Sequence, residues 1–145
     1  MRIIAVLLIS LAMLESCKKQ DSTAANVEVA NKMFAAFNKH DWEAMANCYA
    51  ETASFLDPSF GTEYVSKTRQ ETVEKYNEMT KMFPDLHDEV IDMYATGDKV
   101  IAEFIATGSM GDSVKFRIPI AIVLTMKDGL IVKDATYYDP PVDEP

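Results

Sequence analysis

The side chains in this chain best able to do chemistry are carboxylates. Asp57 stands in Leu56-Asp57-Pro58 and alternates with Ala53 and Phe55, so it shares their face of an extended strand. Asp134 shares a face with Val132, Thr136 and Tyr138, and Asp139 with Ala135 and Tyr137. An apolar setting raises the pKa of a carboxyl group, which suits it to shuttling a proton. Asp57 also has a purely local reading, because Asp before Pro starts turns and bonds its own backbone. Asp85, Asp88, Glu89 and Asp92 crowd around His87 without the spacing of a cation cage, and read as a hydrated edge with a solvated histidine at a strand start.

Two His and two Cys exclude a zinc finger, an iron–sulfur site and a disulfide framework. No glycine-rich phosphate loop is present, neither a Cys-His nor a Ser-His-Asp pairing can be inferred, and no cofactor is implied. Trp42, Phe55, Phe60, Tyr64 and Tyr138 are candidate pocket aromatics, with Tyr49, Tyr76 and Phe83 beside them. The same spacing equally describes plain core. Phe60 and Tyr64 stand out because they fall in a loop, where specificity is commonly carried.

The elements that position these residues follow from periodicity. Val27, Ala30, Met33, Phe34, Ala36 and Phe37 make a helical stripe, with Asn26 as N-cap. Asp41 caps a second short helix carrying Trp42, Met45, Ala46 and Tyr49 on one side. Ala53 to Asp57 reads as a short strand running into a loop at Pro58 and Gly61. Thr68 and Glu71 form a capping box for a helix through Val73, Tyr76, Met79 or Thr80, and Phe83, stopped by Pro84. The period then changes to two. His87 to Ala95 and Lys99 to Thr107 form a hairpin, and Val114 to Met126 a long strand that turns at Lys127-Asp128-Gly129 into Leu130 to Tyr138. Pro119 requires a bulge or a locally unpaired edge in that long strand. Helices on one face of a curved sheet make the fold α+β, with a conical cavity between the layers.

The 145 residues fit one domain, and a net charge of −9 argues against nucleic acid or an anionic bilayer held by charge. Arg2, an apolar run from Ile3 to Leu14, and Ser16 before Cys17 read as a secretory signal. The Cys placed there resembles a bacterial lipoprotein signal. That implies residues 1–16 are removed, Cys17 is lipidated, and the protein is anchored in the cell envelope by several acyl chains. Residues 17–26 then read as a flexible tether, 27–139 as the domain and 140–145 as a tail. Cys48 is left as a small apolar side chain without a disulfide partner.

VANKMFAAFNKHDWEAMANCYAETASFLDP, FPDLHDEV and KDGLIVKDATYYD, in that order, resemble the nuclear-transport-factor-2-like superfamily, and within it the SnoaL-like and ketosteroid-isomerase-like group. The resemblance implies a cone-shaped α+β fold that takes a small molecule in its pocket and dimerises through its sheet. In ketosteroid isomerases the Asp-Pro at the position of Asp57 supplies the general base. The oxyanion-stabilising Tyr of that group is replaced here by Met33 beside Phe34, and Arg117 to Leu124 contains no acid, so the usual steroid-isomerase site is incomplete. SnoaL-like cyclases use an Asp near the end of the last strand with a strand His, a region that holds Asp134, Asp139 and His87 here. Fold analogy leaves function open. The expectation is a membrane-tethered binder of a small, largely apolar molecule. The alternatives are a cofactor-independent cyclase, isomerase or dehydratase using an Asp, and a non-catalytic protein-interaction module.

Overall fold

A computed structural model describes residues 23–111 and 114–139; the expected signal segment 1–16, Cys17 and the tail 140–145 lie outside the described residues. The first helix, α1, covers residues 23–37, followed by α2 (Trp42–Ala46), β1 (Tyr49–Leu56), a 3-10 turn (Pro58–Phe60), β2 (Val65–Thr68) and α3 (Arg69–Met82). Four strands complete the chain: β3 (His87–Thr96), β4 (Lys99–Met110), β5 (Val114–Lys127) and β6 (Leu130–Tyr137). The sheet order is β2-β1-β6-β5-β4-β3, with β1 parallel to β6 and the other neighbours antiparallel. The α+β expectation holds: three helices cover one face of a curved, open, mixed sheet.

Local signals explain most elements. On α1 the predicted stripe is the buried one, with Ala30, Met33, Phe34, Ala36 and Phe37 all inside. The Thr68–Glu71 capping box is formed in both directions, and it places an acid in the first turn of α3, where the helix dipole favours it. Asp128 (φ 52°) and Gly129 (φ 76°) supply the two left-handed residues that a tight β5–β6 hairpin needs. On β5, Ile122, Leu124 and Met126 are buried and Phe116, Ile118 and Ile120 half-buried, so the predicted face is the one that packs.

Three expectations change, and a fourth is resolved between its two alternatives. Helix α1 already includes residues 23–26, so Asn26 is no cap; its side-chain amide instead donates to the Gly97 carbonyl at 3.1 Å, tying the helix to the β3–β4 turn. Tyr49 begins β1 rather than ending α2, because the helix stops at Ala46 and Asn47-Cys48 turn the chain. Cys48, in that turn, is a free, half-buried thiol. Residues Val65–Thr68 form an edge strand on β1 where a loop was expected. Pro119 sits in unbroken register opposite Ile105, without a bulge. Pairing of β5 with β6 begins only at Ala121, so Pro119 has a neighbour on one side alone, the locally unpaired edge expected for it.

Candidate functional site

Between the helices and the concave face of the sheet lies an inner cavity of about 460 Å³. Met33, Phe34 and Phe37 of α1 roof it, and Phe104, Ala106, Ile118, Ile120 and Ile122 form its floor. These floor residues alternate along β4 and β5, as a one-sided sheet requires. An outer groove of about 360 Å³ runs between β1, β2 and α3, lined by Phe55, Phe60 and Lys67. The two spaces share Asp57, Lys75, Tyr76, Asp134 and Thr136.

Asp134 faces inward from β6 and is 6% exposed. The Tyr49 hydroxyl donates to its Oδ2 at 2.7 Å and the Thr136 hydroxyl to its Oδ1 at 3.0 Å. Burial pushes its carboxyl up to about 6, against the pull of those two hydroxyls and the Lys75 charge. Burial likewise raises the Tyr49 phenol, helped by the negative charge of Asp134, so Tyr49 stays a hydrogen-bond donor. The Tyr49 backbone is fixed in turn by Arg69, which donates twice to the Tyr49 carbonyl, at 2.6 and 2.9 Å.

Asp57, at the end of β1, is set differently. Its carboxylate accepts from Ser59 N–H at 2.8 Å and from the Tyr138 hydroxyl at 3.1 Å, and pairs with Lys75 at 3.5 Å. Burial alone would raise its pKa, but the Ser59 bond, the Lys75 charge and the Tyr138 bond outweigh it and hold the carboxyl below the ordinary carboxylate range. The turn role read from Asp-Pro is realised, since Asp57 caps the 3-10 turn Pro58–Phe60. A raised proton affinity is not, and at neutral pH Asp57 is a weak base. Lys75 also lies over the Phe60 ring at 4.4 Å and the Tyr76 ring at 5.3 Å, which holds the ammonium at the junction of the two spaces.

The other sequence candidates separate by location. Tyr138 lines the inner cavity, whereas Phe55 and Phe60 line the outer groove. Trp42 is buried in packing with Phe37, His40 and Tyr76 and lines neither space. Tyr64 is 48% exposed and lies under the Lys133 ammonium, away from both. His87 is an exposed strand start, and Asp139 is exposed and lines a depression on the far side of the sheet. The structure therefore brings Asp57, Asp134 and Tyr138 together and leaves His87 and Asp139 apart from them. Among the described residues no cluster of His, Cys, Asp and Glu could hold a metal ion.

Three charged residues at the cavity escaped the sequence: Lys75, Asp88 and Lys115, the last an exposed residue of β5. Lys75 reads as one more polar position of α3, though three residues after Thr72 and one before Tyr76 place it on the cavity side. Asp88, predicted as part of a hydrated edge, is 7% exposed and lines the inner cavity. Burial alone pushes its carboxyl up to about 7.

Comparison with known proteins agrees with this architecture. An uncharacterised Catenulispora acidiphila protein of ketosteroid-isomerase-like fold, solved with trimethylamine, superposes with a TM-score of 0.68 at 20% identity, covering 77% of this chain and 85% of that one. An LEH-like epoxide hydrolase of M. tuberculosis gives 0.70 at 14% identity over 81% and 85%. IdmH of Streptomyces antibioticus, proposed to be a polyketide cyclase, gives 0.68 at 22% identity over 79% and 91%. At such identities the likeness concerns the fold. Among curated proteins nothing matches the chain. Residues 30–134 match the SnoaL-like domain family, and the chain belongs to that family.

Proposed function

We propose that this SnoaL-like domain binds a small, largely apolar molecule in its inner cavity. One observation carries the reading: a space of about 460 Å³, floored and roofed by apolar side chains, has a few polar groups on its wall. The test is a thermal-shift panel of small carbonyl compounds, polyketides, sterols, fatty acids and amines. Ligand at a hundred times its dissociation constant adds about 2.7 kcal/mol, which raises the midpoint by several degrees. Ala106→Phe, which fills the floor, should remove the shift while leaving the fold intact. A panel without any shift, or shifts unaffected by Ala106→Phe, sinks the reading.

A catalytic reading is favoured by one feature, the Asp134 carboxyl with its affinity for protons raised to about 6 next to the Tyr49 hydroxyl. Such a group can take a proton from carbon beside a carbonyl and return it elsewhere, as a cofactor-independent isomerase, cyclase or dehydratase requires. Asp134→Asn then abolishes turnover of any bound carbonyl compound while binding persists.

The proposed setting is a cell envelope, with the domain tethered through lipid on Cys17. The order Arg2, apolar run, Ser16 and Cys17 supports it. Labelling with a fatty-acid analogue that Cys17→Ala eliminates is the check. The proposed assembly is a homodimer through the outer face of the sheet, where Ile91 and Tyr137 are exposed beside Ile105, Pro119 and Ala121. Ile91→Glu should halve the mass seen by light scattering.

A further inference from the structure

Asp88 is a buried acid that the proton chemistry of Asp134 does not use. It lies on β3, the edge strand farthest from β1, in one transverse row with Ala106 of β4 and Ile118 of β5, and all three line the inner cavity. Its backbone is gripped from outside the sheet. The Asn38 side chain donates to the Asp88 carbonyl at 2.8 Å and accepts from the Asp88 N–H at 2.8 Å, while the His40 ring bonds the Leu86 carbonyl at 2.8 Å. These three bonds, from the end of α1 and the turn after it, fix the start of β3 with the carboxyl on the cavity side. Among the described residues nothing donates to that carboxyl, and since no buried side-chain oxygen is left without a partner, its oxygens open onto the cavity. A desolvated carboxylate that faces a cavity with no partner from its own chain is free to pair with a ligand placed there.

The surroundings say what would complete it. Two edge-to-face ring pairs line the same cavity, Phe34 with Phe104 and Phe83 with Phe116, each 5.1 Å between centroids. Ring faces and a carboxylate together attract cations. Of the other charged wall groups, Asp57 is engaged by Lys75 and Asp134 by two hydroxyls, while Lys115, exposed on β5, makes no ion pair with Asp88. Three carboxylates against the ammoniums of Lys75 and Lys115 leave an anionic ligand facing an excess of negative charge, and a neutral hydrocarbon would leave Asp88 bare. We infer that the inner cavity takes an amphipathic organic amine, its ammonium on the Asp88 carboxylate and its hydrocarbon part against the phenylalanine rings. This rests on the binding reading above and names the class of ligand.

The experiment uses the purified full chain and calorimetric titration with four probes of one size: phenylpropylamine, phenylpropanol, benzylacetone and phenylpropanoate. The amine should bind at least tenfold more tightly than the alcohol or the ketone, and the carboxylate least. Asp88→Asn should remove the tenfold advantage and leave binding of the alcohol unchanged, which also shows that the variant is folded. Asp88→Leu, uncharged and bulkier, should do the same. Alcohol or ketone binding as tight as the amine, or an amine preference that survives Asp88→Asn, overturns the amine proposal while the cavity reading stands. Failure of all four probes to bind overturns both.

Discussion

Two acids look into the same cavity, and their surroundings could hardly differ more. Asp57 spends its oxygens on the fold: a turn amide, a tyrosine hydroxyl and a lysine ammonium all converge on it. Asp88 is the more deeply buried, its backbone pinned by Asn38, and its carboxyl unpartnered among the described residues. The difference separates structure from availability. A carboxylate saturated by its own chain stabilises that chain and has little left for a ligand. One that is buried without partners costs stability, and a bound group can recover that cost.

The sharpest way to break this contrast is to neutralise each acid and compare signs. Asp88 has its proton affinity raised to about 7, so the stability linked to it is full below the unfolded-state value near 4 and is lost as pH rises through 7. A tenfold change in proton affinity is worth about 1.4 kcal/mol, so at pH 8 the ionised group costs a few kcal/mol. Asp88→Asn should therefore raise stability at pH 8 by about 2 kcal/mol or more in urea melts, and the gain should vanish near pH 4. A loss at pH 8 would mean that Asp88 is satisfied in a way its surroundings do not reveal.

Asp57→Asn should act in the opposite direction. The Asp57 carboxyl is held below its ordinary range, so its contribution is present at neutral pH and lost as pH falls through the folded-state value. Removing the charge should cost about 1–2 kcal/mol at pH 7, the usual range for a lost turn cap and charged hydrogen bonds. Little of that penalty should remain in strong acid. Equal stability of variant and parent at pH 7 would place Asp57 outside the fold's support.

Smaller effects sharpen the picture. Lys75→Met should cost no more than about 1 kcal/mol, because the pair is partly solvated, and should raise the Asp57 carboxyl as followed by NMR titration. An unmoved Asp57 would show that the ammonium has no hold on it. Gly108 faces Phe116 so closely that a Cβ there would stand 2.7 Å from the ring. Gly108→Ala should thus swing Phe116 and lower affinity for any cavity ligand severalfold, with a stability change under about 1 kcal/mol because the displaced atoms are the far end of a side chain.

Much of this architecture was legible in the sequence because it is written locally. The α1 stripe, the Thr68–Glu71 box, Pro84 after α3 and the Asp128-Gly129 hairpin each need only a few neighbouring residues to specify them. Residues Val65–Thr68 lack that signal: four residues with two hydroxyls and a lysine have no apolar face, and only pairing with β1 makes them a strand. Asp57 and Asp134 were found as candidates, yet their opposite proton affinities depend on Lys75, Tyr138, Tyr49 and Thr136, which converge from separate elements. Asp88 was hidden for the same reason. Among Asp85, Glu89 and Asp92 it looks solvated, and what carries it inside is Asn38, fifty positions earlier in the chain.

The parallel pairing of β1 with β6 has a consequence for how the molecule comes into being. β3 through β6 can form as successive hairpins, each closing a short loop. β1 is made early in synthesis, yet it finds its inner neighbour only when the last strand has been laid down, and the Tyr49–Asp134 bond spans 85 positions. Long-range closures of that kind are slow steps in folding. The wall of the cavity that holds Asp134 is therefore completed last, and a chain that stopped before β6 would have neither that acid nor a seat for β1.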